Sequence, residues 1–172
     1  MKNKSSIKIY NLIFPIWLLW LFPLTWIVVL PGNFIIDSLV LLLTLKVLKI
    51  NDKKKIYKKT ILKIWGFGFL SYFIGCLIML IPGFIGTKLP VNEWWLNNLT
   101  RAIASSPFTS IYSVVWIIIS IIITSFFIYL FNYKVSFKKL DIEEKSKKKL
   151  ALSLAIFTAP YLFLLPTMWF VQ

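Results

Sequence analysis

Histidine is absent from this chain of 172 residues, and acidic residues number only six. Without an imidazole, His-dependent intramembrane hydrolases and HExxH metalloproteases are excluded. No two carboxylates fall close together within an apolar segment, so a metal-dependent lipid transferase would lack its ligands. Neither a P-loop nor a dinucleotide-binding glycine pattern occurs. Any catalysis would rest on Tyr, Ser, Lys and one Asp, so the expectation is a non-enzymatic protein with no cofactor and no metal. Cys76 is the only cysteine, which excludes an internal disulfide. Its apolar neighbours predict a buried, inert thiol. Arginine is nearly absent too. Arg101 stands against nineteen lysines, a ratio that favours diffuse charge pairing over bidentate phosphate clamps.

What remains is mostly apolar. Hydrophobic residues make up 59% of the chain and the mean hydropathy is +0.80, whereas about 45–50% is usual in soluble domains. Long apolar runs separate three lysine patches. The first is Lys2, Lys4 and Lys8; the second runs from Lys46 to Lys63; the third runs from Lys134 to Lys149. Only Lys88 and Arg101 lie elsewhere. Lys and Arg in short loops accumulate on the cytoplasmic side of a membrane, so the pattern predicts class and orientation together. The net charge of +14 does not point to nucleic acid, because the lysines cap apolar segments rather than cover a folded basic face. Anionic headgroups of the inner leaflet are the expected partner.

The expected fold is all-α, a polytopic integral membrane protein of one domain with five transmembrane helices. The spans are placed at 9–30, 34–50, 64–83, 108–131 and 150–170. The N-terminus is cytoplasmic and the C-terminus outside. Residues 51–63 and 132–149 form cytoplasmic loops, and 84–107 an outer loop. The first run is too long for a signal peptide and lacks a small-residue cleavage site, so it is read as retained. Pro31-Gly32-Asn33 predicts a turn between the first two spans, with Asn33 capping the second. Pro82-Gly83 predicts the end of the third. A four-span arrangement, with 9–45 as a re-entrant hairpin and the last helix kinked back, is the alternative; hairpins in lipid must still pair every backbone group. The lysine-rich composition suggests a bacterial plasma membrane, and Asn98-Leu99-Thr100 is discounted as a glycosylation site.

Asp37 is the one acidic residue inside an apolar segment, where a carboxylate is by default a functional candidate. Ser38 and Thr44 adjoin it on one helical face, making a candidate site for an ion, a ligand or a partner. The alternative puts Asp37 one turn, ~6 Å, after the Pro31 corner. There it would sit in the outer headgroup layer and complement its own helix dipole. Prolines 15, 23, 160 and 166 predict kinks whose freed carbonyls need donors from elsewhere.

Small residues mark close helix packing. Gly68, Ser71 and Gly75 form one stripe, and Ser113, Ser120 and Thr124 another; the two stripes are expected to face each other or a common partner. In the outer loop, Glu93, Trp94, Trp95 and Arg101 frame an amphipathic helix at interface depth. That helix could rest on the outer leaflet, cover an opening between spans or bind an external partner. In the third patch, acids precede lysines at four-residue steps, predicting a charged helix from about Ile142 that runs unbroken into the last span. The functional expectation is a membrane subunit that assembles with itself or with other membrane proteins, its lysine loops binding anionic lipid or a soluble partner. The alternative is a transport component or small channel using Asp37 and the proline-kinked first helix.

Overall fold

The computed structural model describes residues 23–169, and within them every regular element is helical. Helix α1 spans Pro23–Val47, α2 Lys53–Lys88, α5 Ile111–Phe131 and α6 Glu144–Phe157. Between α2 and α5 lie α3 (Glu93–Trp95), a π turn (Leu96–Arg101), α4 (Ala102–Ser105) and a 3-10 turn (Pro107–Thr109). Three stretches, Ile27–Val47, Lys53–Lys88 and Ile111–Ser136, are long and apolar enough to cross a membrane. Helix α2 is ~54 Å long by helical rise, well beyond the ~30 Å hydrocarbon core. Its charges explain the excess: lysines crowd its first turns up to Lys63, and none follows until Lys88. Residues 9–22, the first lysine patch and Pro15 lie outside the described residues.

The bundle is built on α2, which packs against both α1 and α5, while α6 closes the other side against the same two. Two cores result. One, at the lysine-rich end, joins Leu41 and Leu45 of α1 to Ile64, Ile128, Leu150 and Leu154. The other gathers Cys76, Met79, Ile103, Ile117 and Phe163. Cys76 is fully buried, as expected.

Both Pro-Gly signals mislead. Helix α1 continues through Pro31, Gly32 and Asn33, and α2 through Pro82 and Gly83 as far as Lys88. Residues 23–30 thus share one helix with the second expected span, and Asn33 caps nothing. Phe84–Lys88, placed in the outer loop by the sequence, are helical. In water, a proline within a helix costs about 3 kcal/mol and turns are solvated. In an apolar medium an open turn would leave several backbone groups unpaired, each costing several kcal/mol, a cost that an unbroken helix avoids.

Aromatic donors complete the compensation. Pro82 cannot donate to the Ile78 carbonyl, and Trp116 Nε1 on α5 donates to it instead, at 3.2 Å. Near Pro31, Trp65 Nε1 donates to the Leu30 carbonyl at 3.0 Å, although the carbonyl this proline abandons is that of Ile27. Trp116→Phe should therefore destabilise the bundle by about 1–2 kcal/mol, the cost of an unsatisfied buried acceptor. In a Pro82→Ala background the backbone N–H returns, and more than half of that cost should vanish. Thermal unfolding of the four proteins of this cycle measures the coupling; additive losses would disprove the pairing.

The last segment is not one helix. It leaves α-geometry at Phe157 and continues as 3-10 turns at Tyr161–Leu164 and Thr167–Trp169. Pro160 and Pro166 remove two amide donors, and the residue before each is pushed out of the α region. Phenols satisfy the carbonyls left at the break. Tyr161 Oη donates to Ile156 O at 2.7 Å, and Tyr72 Oη to Thr158 O at 2.6 Å. Phe163 then inserts into the second core, and the last turn reaches α4. At its other end α6 starts at Glu144, not Ile142, and the ion pair formed is Glu144–Lys147 at three-residue spacing.

Candidate functional site

Asp37 lies on the stripe that α1 buries, one turn before Leu41 and two before Leu45, and is 5% exposed. Its Oδ2 lies 3.6 Å from the position an ideal Cβ would take on Gly68, an ordinary van der Waals contact. Gly68 is five residues beyond Lys63 and twenty short of Lys88, so Asp37 lies toward the lysine-rich end of the bundle. The outer-headgroup placement fails, because the corner it depended on does not exist. No lysine or arginine forms a salt bridge with Asp37 among the described residues.

Ser38 and Thr44 do not join Asp37 in a site. The Ser38 hydroxyl donates to Phe34 O and shares a 3.0 Å bond with Tyr57 Oη. Thr44 donates to Val40 O of its own helix. Both hydroxyls are thus occupied away from Asp37, that of Ser38 in part by Tyr57 of α2.

The small-residue stripes meet inside the molecule. Gly75 faces Thr124 so closely that a Cβ would overlap Thr124 Oγ1, and it would also stand 2.9 Å from the Phe163 ring. Ser71, Ser120 and Thr124 are buried and turn their hydroxyls back onto carbonyls of their own helices. Their hydroxyls thus make no bond across the seam, and packing rather than polar bonding joins the helices, with Thr124 Oγ1 itself against Gly75. Ser113 serves elsewhere: it donates to the Pro107 and Ser110 carbonyls and fixes the corner into α5.

The outer loop lies on the bundle. Asn92 caps its first turn by accepting from Trp95 N, and Leu99, Ala102 and Ile103 are buried against the spans. Trp95 Nε1 and Thr100 Oγ1 both donate to Pro82 O at 3.1 Å. Gly86 leaves room for Thr100 and Leu96. Trp94 is exposed and meets Tyr112 edge-on, with ring centroids 4.8 Å apart. Glu93 and Arg101 form an exposed pair at 3.7 Å, a geometry that contributes little in water. The loop thus packs against α2 and α5.

At the opposite end, patches two and three merge into one surface. Lys59 Nζ donates to Lys139 O at 3.0 Å. A cavity of about 350 Å³ there is lined by Lys55, Lys59 and Lys139, together with Asp52 and Asp141. Beside it, Tyr133 donates to Glu144 Oε1 at 2.6 Å, and Lys134 and Lys148 lie over its ring. The Tyr133 bond, helped by Lys147, holds the Glu144 carboxyl below the usual carboxylate range. Because that pKa is depressed on folding, the contact stabilises above the unfolded value and is lost as pH falls through the folded one. Tyr133→Phe should raise the Glu144 pKa in an NMR titration, and an unchanged titration would show that the lysines alone set it.

Sequence reasoning missed the interior aromatic donors, Trp65, Tyr72, Trp116 and Tyr161. A signal existed, since an indole or phenol within an apolar run needs an acceptor and prolines in neighbouring runs supply one. Comparison with known protein families, with characterised proteins and with solved structures finds no match to this chain.

Proposed function

We propose that the protein is a non-enzymatic integral membrane subunit of a bacterial plasma membrane, held by its lysine-rich face on anionic lipid of the cytoplasmic leaflet. One observation carries the reading: the second and third lysine patches converge on a single end of the bundle, joined by the Lys59–Lys139 contact. Each lysine near such a surface contributes about 1 kcal/mol of attraction. In this reading α1, α2 and α5 each cross, and one further crossing is made by α6 and the 3-10 turns that follow it. Assembly with itself or other membrane proteins uses the outward aliphatic faces of α1 and α5, since the Gly75–Thr124 seam is internal.

Orientation is tested by cysteine accessibility in intact cells. The native Cys76 is buried, so labelling reports on introduced thiols. Lys54→Cys and Lys147→Cys should react only after permeabilisation, and labelling from outside would overturn the orientation. Purification in mild detergent tests assembly: the chain recovered alone and monomeric would remove the subunit reading. A second reading, a transport component, draws support from the buried Asp37. Under it, Asp37→Asn abolishes cation flux in liposomes while the fold is retained.

A further inference from the structure

Helices α5 and α6 diverge to leave an apolar groove of about 510 Å³, lined by Ile122, Ser125 and Tyr129 on one side and Leu152, Ala155 and Ile156 on the other. Beyond its lysine-rich end lies a second hollow of about 270 Å³, lined by Tyr133, Lys134, Lys138, Glu144 and Lys147. Tyr129 of the groove stacks on Tyr133 of the hollow, with centroids 5.7 Å apart and planes at 17°. The stacked pair thus sets the basic hollow beside the apolar groove. We propose that hollow and groove together bind one anionic phospholipid, its phosphate held by the lysines and one acyl chain laid between α5 and α6.

Charge and length both fit that occupant. Four lysines approach the mouth, since Lys148 lies 6.0 Å over the Tyr133 ring, against the single carboxylate of Glu144. Lys147 is already drawn in: its side chain is 14% exposed and paired with Glu144 at 3.3 Å. Lys134, 5.5 Å over the same ring, and Lys138 have no carboxylate within salt-bridge distance among the described residues. A phosphodiester supplies the missing negative charge, and the flanking phenols suit the boundary between headgroup and chain. Ile121 to Tyr129 covers ~12 Å along α5 by helical rise, close to the ~15 Å depth of one leaflet's hydrocarbon. A soluble phosphate would leave the groove empty, so the occupant is a lipid and not the free anion.

This site refines the lipid-binding reading above and rests on it. The test is native mass spectrometry of the full chain in detergent with phosphatidylglycerol and phosphatidylcholine in equal amounts. Wild type should keep one phosphatidylglycerol at least tenfold in preference to phosphatidylcholine, and excess inorganic phosphate should not displace it. Ser125→Trp with Ala155→Phe, which fills the groove without changing charge, should abolish that retained lipid. Lys134→Gln with Lys138→Gln should cut the preference to less than threefold, and Lys88→Gln, outside the lysine patches, should leave it unchanged. Circular dichroism melts verify that each variant is folded, and Ala155→Val serves as a milder filler where the larger pair is not. Retention undiminished by a folded groove filler would overturn the site while leaving diffuse lipid binding intact. No anionic preference in wild type would overturn both.

Discussion

Gly75→Leu is expected to abolish the folded bundle in mild detergent, giving aggregate in place of a monodisperse peak and no cooperative melt. Even a Cβ at this position overlaps Thr124 Oγ1 and presses on the Phe163 ring at 2.9 Å. Thr124 lies on a rigid helix with its hydroxyl tied to Ser120 O, so the oxygen cannot swing away without losing that bond. Overpacking a core by a few methylenes costs about 1–3 kcal/mol where neighbours can adjust, and here the neighbour on one side is locked. Gly75→Ala should lower the melting temperature measurably, and adding Thr124→Ala should recover part of the loss. A folded Gly75→Leu protein that lost only its higher-order assembly would place this seam between subunits.

Asp37→Leu is expected to stabilise the protein and improve membrane insertion of α1. A carboxylate in the centre of an inserting helix costs about 2.5–3.5 kcal/mol on translocon scales, while leucine is favourable by about 0.3–0.6 kcal/mol. Leucine would extend the Leu41 and Leu45 stripe and pack over Gly68, which has no side chain to oppose it. A glycosylation-mapping insertion assay on α1 and a thermal melt of the whole protein measure the two effects. A lower melting temperature would show instead that Asp37 is paired in the folded state, which favours the transport reading. Retained flux in Asp37→Asn would eliminate that reading.

The stripes of small residues show how far spacing can be trusted. Glycine and hydroxyl residues three, four and seven apart on two apolar runs implied close approach, and Gly75 does meet Thr124. Spacing could not say whether the approach was within the chain or between copies. It also placed Ser113 on the seam, whereas the loop corner claims its hydroxyl. Asp37, Ser38 and Thr44 fail as a cluster for a related reason. Sharing a helical face brings side chains near one another, but a hydroxyl in an apolar setting first bonds the carbonyl one turn back.

Composition and the rhythm of lysines were enough to predict a helical chain with runs apolar enough to cross a bilayer, because the cost of each residue in lipid is nearly independent of its neighbours. Helix continuity was decided in three dimensions. Pro82 ends nothing because the Ile78 carbonyl that it abandons accepts from Trp116, 38 residues beyond Ile78 in sequence. Near Pro160 the chain does leave the α-helix, and its carbonyls accept from two phenols, that of the adjacent Tyr161 and that of Tyr72 on α2. In a medium without water the fate of a proline rests with whichever distant donor can reach the gap, and only folding brings that donor there.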